Sequence, residues 1–278
     1  MTDDTLSRIA DALDRIAPPL GEPADPLAHP AYIWREGGLH VAQHFAPLDL
    51  ALLTGIDAQK TAVLENSRRI SQGAAAHDIL LWGARGSGKS MLAKSAVAAL
   101  QAEGENLALI EVASDRLDSL PELFALLAPV ERAFILFIDD IGFDGDAAAA
   151  RALRSLLEGG AEARPAKMRL YVTSNRRHIV PRSMAEQDDP VNPRDARDDS
   201  LALSDRFGLS LGFHAASQAD YLAMIEAYAA HFELAFDETD AIGWATRRGS
   251  RSGRVAWQYI VELAGRSGRS LAETNRDK

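Results

Sequence analysis

The residues with the most chemistry to offer lie in GARGSGKS, Gly83 to Ser90, between the apolar run ILLW and the segment MLAKSAVAAL. The stretch fits G-x-x-x-x-G-K-[ST], with a strand expected before it and a helix after it, which is the context this motif requires. Gly83, Gly86 and Gly88 let the backbone curl so that successive N–H groups point at phosphate oxygens. Lys89 supplies a point charge to the β- and γ-phosphates, Ser90 offers a hydroxyl to Mg²⁺, and the following helix adds its positive end. Ala84, Arg85 and Ser87 complete the loop and Met91 follows it, the side chains of Arg85 and Ser87 reading as solvated. The ligand class is therefore a nucleoside di- or triphosphate with Mg²⁺, the base being left open by this loop.

A second cluster is acidic. FILFIDDIGF places Asp139 and Asp140 at the end of an apolar strand, where a carboxylate reaches the metal of a phosphate loop. Asp139 is expected to hold Mg²⁺, mostly through water, and Asp140 to polarise the attacking water. The plainer alternative is two acids closing a turn after a strand. Three more polar residues follow in order. RLYVTSNRR puts Asn175 at the end of a strand, SDRFG puts Arg206 just before another, and SGRV puts Arg254 at the start of a helix. Arg254 competes with Arg247, Arg248 and Arg251, but only it directly opens a helix that could swing over a ligand.

These residues need a scaffold. Apolar runs at 79–82, 107–113, 133–139, 169–174 and 209–213 read as strands buried on both faces of a parallel sheet. Helical segments alternate with them, the signature of a doubly wound α/β domain. One of these, DAQKTAVLENSRRIS, is expected to start with Asp57 as its cap. After Phe213 the strands stop, and SQADYLAMIEAYAAHF, DETDAIGWATRRG and SGRVAWQYIVELAG read as three helices. The expected organisation is an N-terminal helix and linker over 1–47, an α/β nucleotide-binding domain over 48–213 and a helical domain over 214–278. Leu6, Ile9, Leu13 and Ile16 share one helix face before Pro18, and PPLGEPADPLAHP reads as linker. Tyr32 and Trp34 in that region are expected to pack on their own domain. The polar stretch 180–204 reads as a long surface insertion.

Composition excludes other classes. The 278 residues are 47% hydrophobic and carry no cysteine, which rules out disulfides, thiolate metal sites and cysteine nucleophiles. No run of apolar residues is long enough for an integral membrane segment, and the N-terminus lacks the basic start of a secretory signal. A soluble, cytoplasmic protein is expected. The net charge of −10 disfavours non-specific nucleic-acid binding, so such a partner needs a local basic patch. Two exist, Arg176, Arg177, His178 and Arg182, and the last 34 residues with eight Lys/Arg against three Asp/Glu. Service to the nucleotide site and to subunit contacts is the preferred reading of both, since no helix-turn-helix, zinc site or interleaved aromatic pattern supports a dedicated nucleic-acid module.

No N-K-x-D segment reads guanine and no L-S-G-G-Q marks a transporter motor. The ordered set instead resembles the AAA+ ATPases of the P-loop NTPase superfamily, from about Leu53 to about Gly265. That resemblance implies a five-stranded parallel α/β core with a small all-helical C-terminal lid. It places Gly55 and Ile56 of LTGIDAQK beside the adenine. GARGSGKS becomes the Walker A motif and FILFIDD the Walker B motif. Asn175 becomes the sensor that positions the lytic water, and Arg206 the arginine finger that completes a neighbour's site in a homo-oligomer. Arg254 becomes the second sensor, closing the lid. Many members carry Glu where Asp140 stands, one methylene longer, which bears on hydrolysis more than on binding. The S-D-R-F segment resembles the replication initiator and helicase-loader branch. The run LEGG…RP…TSNRRH…SDRFGL…SGR is still more similar to a bacterial AAA+ family catalogued as a domain of unknown function. The segment SDRLDSLPELF after the second strand lacks the aromatic-hydrophobic-glycine loop of threading unfoldases.

Two functions fit. One is an assembling ATPase whose hydrolysis rearranges a protein or nucleic-acid partner. The other is a slow ATP-gated switch or loader that captures such a partner. A small-molecule kinase explains the loop but leaves Arg206 and the helical domain without a role.

Overall fold

The computed structural model describes residues 23–141, 147–159, 164–175 and 205–271. The expected helix near 2–18, the stretch 180–204 and the group Arg176, Arg177, His178 and Arg182 lie outside the described residues. The elements are β1 (Ala31–Arg35), β2 (Gly38–Val41), α1 (Asp57–Ser71), β3 (Ile79–Gly83), α2 (Lys89–Ala102), β4 (Leu107–Val112), α3 (Leu120–Leu127) and β5 (Ala133–Ile138). They continue with α4 (Ala147–Glu158), β6 (Met168–Ser174), β7 (Leu209–Phe213), α5 (Gln218–His231), α6 (Glu238–Arg248) and α7 (Gly253–Arg266).

The strands form one sheet in the order β2-β1-β4-β5-β6-β3-β7, parallel except for the β1–β2 hairpin. β5 shows why an unbroken apolar run suits this position. Phe134, Leu136 and Ile138 enter the core on one face, with α3 and α4. Ala133, Ile135 and Phe137 enter the core on the other, with α1 and α2. Successive side chains alternate across the sheet, so a strand covered on both faces must be apolar throughout.

The sheet thus has seven strands among the described residues, where five were expected. The extra pair comes from AYIWREGGLHV, within the 1–47 stretch expected to be helix and linker. Tyr32, Trp34 and Leu39 are buried, the alternate residues Ile33 and Arg35 face outward, and Gly37 and Gly38 take positive φ at the turn. β1 then pairs in parallel with β4, from Ala31 opposite Leu109 to Trp34 opposite Val112. Strands of five and four residues between proline-rich flanks carry too short an alternation to stand out. A smaller correction concerns α1, whose N-cap is Ile56, with Asp57 its first helical residue.

Arg132 fastens this hairpin to the sheet. Its guanidinium donates to the carbonyls of Pro26, His29 and Leu107 and to the Tyr32 hydroxyl. The residue is 9% exposed, and truncation takes the guanidinium from the Pro26 and His29 carbonyls, whereas the Leu107 carbonyl keeps Gln101 and the Tyr32 hydroxyl keeps the His29 N–H. Arg132→Ala is expected to cost about 3 kcal/mol in urea unfolding, because each orphaned acceptor loses its desolvation compensation. An unchanged unfolding midpoint would contradict this account of the anchor.

The three C-terminal helices share a separate core built on Tyr221, Ile225, Ala245, Tyr259 and Ile260. Each begins with a side-chain cap: Ser217, reinforced by Asp220, then Asp237 and Ser252. Leu52, from a short 3₁₀ turn over Leu50–Leu52, joins that core and ties it to the segment before α1. Among the described residues no helix is long and apolar enough to cross a membrane.

Candidate functional site

The C-terminal end of β3 runs straight into the glycine loop. Gly83 has φ +130, and a Cβ there would sit 2.0 Å from the Phe213 carbonyl oxygen, so β7 passes where only glycine fits. The Ala84 N–H donates to that same oxygen at 2.9 Å. Gly86 is confined by the other side of the site. Its carbonyl accepts from the Arg254 N–H, and a Cβ on it would lie 3.0 Å from both Arg254 and Ser252. The N-terminus of α7 is therefore docked on the loop, aiming its positive end at the same space.

That space is a cleft of about 1620 Å³ between the loop, the segment before α1 and the C-terminal helices. Arg85 through Met91, Ile56, Asp139, Asp140, Asn175 and Arg254 all line it. Gly55, at φ +77, stands between Thr54 and Ile56, which line it. Gly83 and Ala84 instead back the loop: their carbonyls accept from the Lys89 ammonium at 2.9 and 2.8 Å, and the Ala84 carbonyl also accepts from the Ser87 hydroxyl. The third Lys89 proton goes to Asn175 Oδ1 at 3.2 Å. Burial holds the Lys89 ammonium below its ordinary pKa, with Asp140 and then Asp139 opposing the shift and Arg254 and Arg85 adding to it.

The acids sit opposite. Asp139 Oδ1 accepts from the Ser90 hydroxyl and from the Thr173 hydroxyl, both at 2.6 Å. Asp140 has φ +51, an uncommon backbone state for a residue other than glycine. Its N–H donates to Thr173 Oγ1 at 2.7 Å, and its carboxylate accepts from the Asn175 amide. Asn175 thus stands between Lys89 and Asp140, donating to one and accepting from the other.

Thr173 is a site residue that sequence reasoning missed. The β5–β6 register sets Ile138 opposite Val172, which brings Thr173 beside the two aspartates. Ser252, which crowds Gly86, was missed as well; its one signal was the cap position in front of Gly-Arg-Val. Arg247 and Arg248 lie over the Trp244 ring at 5.9 and 4.3 Å and do not line the cleft, which leaves Arg254 as the arginine of its group that does.

Arg206 is placed elsewhere. It precedes β7, whose first residue pairs with Ile79 at the start of β3, whereas the glycine loop leaves the other end of β3. It pairs with Glu158 at 2.5 Å and lines a separate hollow of about 450 Å³ with Asp78, Arg164 and Arg169.

A family model described as "Protein of unknown function (DUF815)" matches residues 27–267. The chain belongs to the DUF815 family. No curated protein matches it. Among solved structures it is similar to the Thermotoga maritima RuvB Holliday junction branch migration motor, at TM-score 0.52 and 18% identity, covering 81% of this chain and 68% of that one. It is also similar to the Aeropyrum pernix ORC2 protein, solved as ADPNP and ADP complexes, at 0.53 and 16%, covering 84% and 69%. The FIGL-1 AAA domain in complex with ADP matches at 0.52 and 15%, covering 78% and 73%. This DUF815 chain thus has the AAA+ P-loop NTPase fold.

Among the described residues no cluster of three or more His, Cys, Asp or Glu could hold a metal alone. The donor set here, one carboxylate and one hydroxyl 2.6 Å apart beside a phosphate-shaped loop, suits an ion that also takes oxygens from its substrate. Mg²⁺, which keeps waters and uses few protein ligands, fits that description.

Proposed function

We propose that this chain is a Mg²⁺-dependent ATPase that works at the interface between copies of itself. The observation that carries the reading is the convergence of Lys89, Ser90, Asp139, Asp140 and Asn175 on one cleft. The nucleotide complexes named for the ORC2 and FIGL-1 structures support it.

Each residue has a part. The loop N–H groups and the α7 N-terminus bind the phosphates, and Lys89 leaves its carbonyl partners to contact them. Thr54, Gly55 and Ile56 flank the base. Ser90 and Asp139 hold Mg²⁺, which when bound offsets negative charge on the phosphate oxygens. Asp140 and Asn175 orient the attacking water; Asp140 accepts its proton as the water oxygen bonds in line to the γ-phosphorus and the bond to the bridging oxygen breaks, releasing ADP and phosphate. Arg254, on the C-terminal helices that act as a lid, closes over the nucleotide. Arg206 precedes the opposite end of the sheet from the loop. A strand of five residues spans about 16 Å, and that separation from its own cleft supports a role for Arg206 on the site of a neighbouring copy, where it stabilises charge on the transferred group. The energy released rearranges a protein or nucleic-acid partner.

A second reading is favoured by Asp140 itself. Its carboxylate is short and tied to Asn175. A slow ATP-gated switch or loader needs no faster base. The test is phosphate release from ATP by the purified chain. The ATPase reading predicts turnover that requires Mg²⁺ and stops in EDTA. Tight ATP binding with negligible release would move the switch reading ahead, and no binding would sink both.

A further inference from the structure

Arg206 is the one candidate catalytic side chain that its own cleft does not use, and its partner is specific. The Arg206 guanidinium meets Glu158 Oε1 at 2.5 Å, with the arginine side chain 32% exposed and the glutamate 50%. Glu158 is the last residue of α4, and α4 follows the β5 end that carries Asp139 and Asp140. The helix has 12 residues, about 18 Å at the usual rise. Its last residues, Leu156, Leu157 and Glu158, line the hollow that Arg206 also lines.

We propose that Glu158 is a positioning residue for the finger. It fixes Arg206 in the conformation that a neighbouring copy's phosphates require. This inference rests on the trans-acting role given to Arg206 above. The chemistry favours holding over sequestering. A guanidinium has five N–H donors, and one carboxylate oxygen on one nitrogen leaves most of them for phosphoryl oxygens. A free arginine on a turn would pay rotamer entropy on each engagement; a pinned one has paid it beforehand. Glu158 does not touch the neighbour's substrate, so its effect reaches the chemistry through Arg206 alone.

The test is complementation between two inactive forms. Lys89→Ala chains keep the finger but have lost their own site. Arg206→Ala chains keep their site but lack the finger. Mixed, they regain hydrolysis at those interfaces where the first donates to the second. Glu158→Ala is then added to the donor or to the acceptor. The expected result is a loss of about three- to fivefold in kcat with KM for ATP unchanged when it sits on the donor, the most that a part-exposed ion pair contributes to ordering one long side chain. On the acceptor it should change nothing, and Glu158→Gln on the donor should fall between. Equal losses on donor and acceptor would overturn the positioning role and leave the trans finger standing. No recovery on mixing would overturn the trans finger, and this inference with it.

Discussion

Replacing Lys89 with alanine is expected to raise the dissociation constant for ATP by about 100-fold or more, read by titration calorimetry. The ammonium is the cation buried against the loop, at 6% exposure. Charge-assisted bonds to phosphate contribute about 1.5–3 kcal/mol each, and losing the equivalent of two reaches that factor. The fold should survive, because the alanine removes contacts to the Gly83 and Ala84 carbonyls at a loop the solvent can enter. The lowered pKa adds a pH signature with a definite sign. Burial favours the neutral amine, so the affinity for ATP should begin to fall at a lower alkaline pH than an ordinary lysine would give. Phosphate favours the ammonium, so ATP binding in that range should take up protons. An unchanged affinity in Lys89→Ala would remove the loop from the nucleotide site.

Asp140→Asn should separate binding from chemistry. The backbone can accept it, because asparagine, like aspartate, tolerates the positive φ found at this position. The Asp140 N–H bond to Thr173 is a backbone contact and remains, and the new amide keeps an acceptor oxygen for Asn175. What is lost is the charge and the base. Turnover should drop by about 100-fold or more, the usual share of a positioned general base, with ATP affinity within a few-fold of wild type. Single-turnover phosphate release and equilibrium binding measure the two quantities separately. Normal hydrolysis in Asp140→Asn would take the general-base role away from this residue.

The sequence exposed the cleft because its chemistry is local. Six residues of GARGSGKS, from Arg85 to Ser90, line the cleft, and the acids stand where an unbroken apolar strand ends. What stayed hidden depends on register and on contacts between distant segments. Thr173 looked like one more strand residue until the β5–β6 pairing set it against both aspartates. Ser252 reads as a helix cap, and its second task, crowding Gly86, appears only when α7 is docked on the loop. The β1–β2 hairpin escaped notice because nine residues of weak alternation give little signal beside their prolines. Arg206 was named from its place in the chain, but its ion pair with Glu158 brings together residues 48 positions apart.

A catalytic site shared between copies makes turnover depend on assembly. ATP hydrolysis per subunit is followed as the protein concentration rises, alone and with Arg206→Ala chains mixed in. The account predicts specific activity that climbs with concentration and is poisoned by the variant, since the strand geometry keeps Arg206 from its own cleft. Activity independent of concentration, with Arg206→Ala hydrolysing like wild type, would contradict it.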